Sequence, residues 1–315
     1  MIDSPDGLIL LPRLQVENAN AISGPLTWGF PAPSAFTGFV HALHRKMGND
    51  DLLLDGVGII CHRFDPQVYK PRGKYQYRFT LARHPMGKDG RPPGTIEEGR
   101  AHLEVSLLIG VYGELEQRDG EVFARQLYQV AQGMRLAGGS LRPSPLEKRY
   151  EADYRELSGS LEGDEKAFRE LRRQLLPGFA LIHRHDLLCE YLAELKDNGM
   201  EANVLDALLE LVRLNIDPIA SDPDKPDKVQ WHASRARPGW LVPIPVGYSA
   251  ISPLYPPGTV LNARDDCTPF RFVESLYSLG EWISPHRLNH PHQLLWHHRS
   301  DPDTGLYLVD HHNPA

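Results

Sequence analysis

Between Tyr69 and Arg78 the chain reads Tyr-Lys-Pro-Arg-Gly-Lys-Tyr-Gln-Tyr-Arg, four cations interleaved with three tyrosines. Cations neutralise phosphates and aromatic rings stack on bases, so Arg72, Lys74, Tyr75, Tyr77 and Arg78 suit single-stranded nucleic acid. The same letters also describe a hairpin with one buried aromatic face and one solvated charged face. The surroundings are basic although the protein is not: the net charge is -7, yet nine Lys/Arg against four acids between Cys61 and Arg100 leave a local excess of five positive charges. Arg13, Arg63 and Arg100 are further cations near predicted strands, Arg142 lies just after Gly138-Gly139-Ser140, and Trp28 is a further ring. Gly138-Gly139-Ser140 follows a predicted helix. Amides of such a loop can hold an RNA phosphate, although Gly-Gly is first a tight-turn signal.

Other chemistry is thinly supported. The P-loop, the His-Glu-x-x-His zinc motif, the Gly-x-Ser-x-Gly elbow and the dinucleotide fingerprint are missing. Fifteen histidines include a C-terminal concentration at His286, His290, His292, His297, His298, His311 and His312, without zinc spacing. They read as solvated or hydrogen-bonded, with no metal and no cofactor expected. Metal-free RNA cleavage would need a histidine acid or base, and His41, His44, His62 and His102 lie near the predicted sheet. Single histidines on half-buried strands are more often structural, so the expectation is a non-catalytic chain. The three cysteines are scattered and read as reduced, buried thiols. No apolar run approaches the roughly 18 residues of a membrane span and the start is acidic, which points to the cytoplasm.

The elements that position these residues begin with a strand over 8–17, with Leu8, Leu10, Leu14 and Val16 expected on one side. A helix over 34–47 follows two prolines, with Ser34 as its expected cap and Gly38 in its interior, where close approach of another backbone would justify it. Strands are predicted over 55–64, 74–83 and 102–111, and a helix over 121–136. That order suggests an α+β fold: a ferredoxin-like antiparallel sheet of the RRM/RAMP kind, backed by two helices, its other face open and partly basic. Helices are expected over 164–176, from Asp186 as cap to Lys196, over 203–215, and over 268–280. The prolines of Trp240-Leu-Val-Pro-Ile-Pro-Val246 permit only an edge strand. The organisation read from this is a core over 1–185, a helical hairpin insertion over 186–216, a mobile loop over 217–237 and a C-terminal segment over 238–315 packing on the core.

Several segments together resemble a known family. They include Leu11-Pro-Arg-Leu14, Pro25-Leu-Thr-Trp-Gly-Phe-Pro31, Ser34 to Leu43, Cys61-His-Arg-Phe64, Glu97 to Leu108, Met134 to Ser140, Leu176 to Leu181, Pro238 to Pro245 and Leu279-Gly-Glu-Trp282. In order and over almost the whole chain, they are similar to the RAMP-fold subunit that grips the 5′ handle of the guide RNA in type I-F CRISPR surveillance (Csy) complexes. The resemblance implies a non-catalytic antiviral-defence protein, paired with the large subunit at one end of a filament of backbone RAMP subunits. It would hold the CRISPR RNA handle near the target double-stranded DNA. On that reading Arg13, Arg63, Arg72, Lys74, Arg78, Arg100 and Arg142 would contact phosphates. Gly138, Gly139 and Ser140 would offer amides and a hydroxyl, while Trp28, Tyr75 and Tyr77 would stack on bases. The alternatives are a metal-independent endoribonuclease of the same fold that processes precursor RNA, and an assembly adaptor touching only protein through the 240–245 segment.

Overall fold

A computed structural model describes residues 4–143, 150–220 and 229–311. The first strand, β1 (Gly7–Asn20), is set by its register against β3 (Arg100–Tyr112), with β2 (Leu53–Pro66) on the other side of β3. Between Leu11 and Leu14 the register shifts by one residue and Arg13 takes φ 50. A bulge inverts the inward parity of a strand. Ile9 and Leu11 therefore share a core with Leu14 and Val16, while Leu8 and Leu10 face the opposite side. The expected single row of Leu8, Leu10, Leu14 and Val16 is broken by that bulge.

Helix α1 (Pro33–Met47) buries Phe36, Phe39, Val40 and Leu43 against the sheet. Its cap is Ala32, which makes no side-chain bond; Pro33 occupies the first turn and Ser34 lies inside it. Helix α2 (Gln117–Gln132) packs on the same face through Ala124, Leu127, Tyr128 and Ala131. The hairpin of β4 (Arg135–Leu136) and β5 (Gly139–Arg142) then adds β5 to the edge of β1, and β6 (Asp153–Glu156) pairs with the other end of β1.

The remaining strands of this sheet are β7 (Phe179–His183), β8 (Leu241–Ala250), β9 (Val273–Ile283), β10 (Trp296–Asp301) and β11 (Leu306–His311). All eleven form one antiparallel sheet in the order β4-β5-β1-β3-β2-β7-β9-β8-β11-β10, with β6 beside β1. A pairing of Trp296 with Val57 brings β10 back to β2, so β2-β7-β9-β8-β11-β10 close into a ring. Trp296 is fully buried there and its indole N–H donates to the Leu181 carbonyl at 2.9 Å. The fold is thus mixed α and β, with five α-helices among the described residues and a far larger sheet than the first half implied.

The helix expected over 268–280 is absent: β9 occupies Val273–Ile283, held by β7 and β8 on its two sides. Pairing on both edges overrides local propensity. Pro243 and Pro245 lie where β8 has β9 as its strand neighbour, before β11 joins at Gly247, as an edge position requires. Helix α3 (Leu161–Arg172), capped by Ser160, packs Phe168 and Leu171 with Leu8, Leu10, Ile60 and Leu108. This covers half of the sheet face expected to be open. Helices α4 (His185–Asp197) and α5 (Val204–Val212) share a cluster with Leu241 and Leu279. Asn203 caps α5 in a capping box, whereas Arg184, not Asp186, precedes α4. Within the predicted 217–237 loop, Asn215–Ala220 and Val229–Ser234 pair as a hairpin, and residues 221–228 lie outside the described residues. Cys189 and Cys267 are exposed; only Cys61 is partly covered. Among the described residues no helix is long and apolar enough to cross a membrane.

Candidate nucleic-acid interface

The uncovered half of the sheet face is built by alternation. On β2 and β3, Arg63 stands opposite Glu104 and Asp65 opposite His102. Arg63, Asp65 and His102 line a trough of about 450 Å³ with Gln15, Glu17 and Arg142. A second trough of about 380 Å³ shares Glu17 and is lined by Arg100, Arg135, Gly138, Gly139 and Ser140, with Thr80 to Ala82 as its far wall. Three of the cations here carry a carboxylate, Arg63–Asp65 at 2.9 Å, Arg142–Glu17 at 2.7 Å and Arg100–Glu98 at 2.7 Å, while Arg135 donates to the Gly138 carbonyl. Exposed pairs of this kind are worth little and yield readily to a competing anion.

Residues 67–99 leave the sheet as a web of two short hairpins, Val68–Tyr69 with Arg78–Phe79 and Leu81–Arg83 with Thr95–Glu97. The strand predicted over 74–83 is broken into these pieces. Tyr75 and Tyr77 are 93% and 65% exposed, so the reading with a buried aromatic face fails. Lys70 lies over both rings, 5.6 Å and 5.9 Å from their centroids. Arg72, Lys74 and Arg78 are exposed, and among the described residues none of them has a carboxylate partner. The web borders the second trough, where Gln67 donates to the Asn18 side chain at 2.5 Å, and meets the Ile22–Trp28 hairpin where Trp28 packs edge-on against Phe79 at 5.2 Å.

Three candidates are engaged elsewhere. The Arg13 guanidinium is spent internally on Glu104 at 2.9 Å, the Tyr150 hydroxyl at 3.1 Å and the Leu176 carbonyl at 3.2 Å. Burial alone would raise the Glu104 carboxyl, but hydrogen bonds from Arg13 and Gln15 outweigh it and hold it below the usual range. Ala137 (φ 48) and Gly138 (φ 74) form the turn between β4 and β5, and a Cβ on Gly139 would lie 2.6 Å from the Glu17 carbonyl oxygen. The glycines therefore serve the turn and the close approach of β5 to β1, leaving Ser140 exposed at the trough rim. Both ring nitrogens of His62 are occupied, by the Pro177 carbonyl and the Ser106 hydroxyl at 2.6 Å each. Burial, first among the causes, lowers its pKa to about 4. His41 stacks with His298, and His102 contacts Gln67. Among the described residues no three His, Cys, Asp or Glu side chains are arranged to hold a metal; His312 lies outside them.

The sequence reading missed an aromatic pocket of about 700 Å³ beside the first trough, sharing Arg63 with it. Beyond Cys61, β2 runs past the start of β7, and the pocket opens between this stretch and the proline-bearing edge of β8. Trp28, Phe30, Phe64, Phe179, Trp240 and Trp282 line it. The hairpin of Ile22–Gly24 with Thr27–Trp28 roofs it, anchored by the Leu26 N–H to the Tyr277 hydroxyl at 3.0 Å. Five separate segments meet here, so no local spacing announced it.

The family described as CRISPR-associated protein (Cas_Csy2) matches residues 9–309, nearly all of the chain. The chain belongs to the Csy2 family. A relative from Pseudomonas aeruginosa (strain UCBPP-PA14), the CRISPR-associated protein Csy2, is 52% identical over 314 residues, covering 97% of this chain and 95% of the relative. Membership makes the chain a Csy subunit of a type I-F CRISPR-Cas system.

Proposed function

We propose that this Csy2-family chain is the non-catalytic subunit that holds the 5′ handle of the CRISPR RNA, pairs with the large subunit beside the backbone RAMP subunits, and does so near the incoming target double-stranded DNA. The observation that carries the reading is the web, whose cations Arg72, Lys74 and Arg78 have no carboxylate partner among the described residues and whose Tyr75 and Tyr77 are exposed, beside troughs in which Arg63, Arg100 and Arg142 are paired only at the surface. Unpaired cations beside exposed rings match a strand of phosphates and splayed bases. A ferredoxin-like RAMP core is consistent with the strand-helix-strand-strand-helix-strand order, the sheet order β5-β1-β3-β2, and α1 and α2 on one face. The absence of catalysis accords with His62, whose ring nitrogens are both engaged.

The test is binding of labelled handle RNA to the full chain across a salt series. Arg72→Glu with Lys74→Glu should weaken binding at least tenfold and flatten the dependence on salt. Unchanged affinity and slope would remove the web from the site. A labelled repeat RNA incubated with the chain in EDTA should stay intact; a cut product would make the protein a nuclease.

A further inference from the structure

Polyanion binding accounts for the web but leaves the aromatic pocket at its foot without a role. We propose that this pocket receives one unstacked nucleobase of the guide RNA, while Arg63 and the web's cations hold the flanking phosphates. The inference rests on the handle-binding reading above and adds the place where a base leaves the strand.

Three features single out a base. The pocket's size falls in the range of about 300–1,000 Å³ typical of small-ligand sites, and exposed rings frame its mouth: Trp28 is 56% exposed, Trp240 51% and Phe179 46%. Phe179 meets Trp240 at 5.4 Å, nearly edge-on, and Trp240 leans on Trp282 at 6.2 Å, so the Trp240 ring is braced on two sides as a stacking platform.

Apart from Arg63, the lining side chains carry no charge near pH 7. Burial pushes the Cys61 thiol up to about 12 and His62 down to about 4, so both are neutral near pH 7. The polar groups facing in include the Ser23 and Thr27 hydroxyls, 2.9 Å apart, which can read a base edge. Charge complementarity decides between a base and an apolar side chain from a partner protein. Arg63 is shared by the pocket and the first trough, and Trp28 ties the pocket to Phe79, next to Arg78, which has no carboxylate partner among the described residues. A polyanion needs such cations within one nucleotide of the stacking site, whereas an apolar peptide does not.

Synthetic guide RNA in which each leading nucleotide is made abasic in turn is titrated onto the full chain, comparing the parent with Trp240→Leu and Phe179→Leu. Both positions are about half exposed, so unchanged melting verifies that the variants fold. One abasic position should cost the parent about tenfold in affinity and the variants almost nothing, because the stack is already gone. Equal abasic penalties in parent and variants would overturn the pocket while leaving handle binding intact. No binding by the parent would remove the handle reading and the pocket with it. Loss of the large subunit from the Trp240→Leu complex, with RNA affinity kept, would assign the pocket to a protein contact and overturn the proposal.

Discussion

At the scale of single residues, charge alone does not separate binding cations from structural ones. Arg13 and Arg72 look alike in sequence. The bulge turns Arg13 into a half-buried cluster with Glu104, Tyr150 and the Leu176 carbonyl, and its guanidinium also lies over the Tyr150 ring at 4.4 Å. Arg13→Ala strands those partners and should cost about 2–4 kcal/mol in denaturant unfolding. The exposed Arg72→Glu should stay within about 0.5 kcal/mol of the parent. An Arg13 variant of parental stability would contradict that assignment. Exposed members of the site were legible because Tyr75, Tyr77, Arg72, Lys74 and Arg78 lie within ten residues of one another. Trp240, Phe179 and Phe30 were not, because only the fork between β2 and β8 brings them together.

At the scale of elements, the glycines divide by what lies beside them. A Cβ on Gly38 of α1 would meet nothing within 4 Å, so the predicted close approach is not made within this chain. Gly38→Ala should therefore stabilise the free chain by about 0.5–1 kcal/mol, read as a higher Tm. Gly139→Ala should do the reverse, since β5 would be forced off β1 at the Glu17 carbonyl. Its destabilisation should exceed about 2 kcal/mol; a neutral result would mean the edge strand shifts freely. Helices with strong caps or one-sided apolar rows, α1, α2 and α5, were visible in advance. The strand β9 was not, because Val273, Leu276 and Leu279 also fit a helical spacing and its identity comes from neighbours on both sides.

For the molecule as a whole, buried imidazoles set the acid limit. Burial chiefly lowers His62 and His183 to about 4 and His311 well below its ordinary value. In the unfolded chain such rings take a proton near pH 6.5, whereas in the folded chain His62 and His183 do not until about pH 4. Between those values the unfolded state binds more protons, so stability falls as pH drops through the window. Melting temperature should hold above about pH 7 and decline steadily toward pH 4, and His183→Gln should make the decline shallower. An unchanged slope in that variant would mean that the buried rings are not what limits the protein in acid. Trp296→Ala, at the seam of the ring, should cost about 3–5 kcal/mol and broaden the unfolding transition.

The seam also dictates a timetable. A strand at residues 53–66 completes its ring with one synthesised long after it, residues 296–301. Until then the nascent chain carries the unsealed edges of a half-made cylinder, so early termination anywhere before Trp296 should yield an aggregating fragment instead of a smaller working protein.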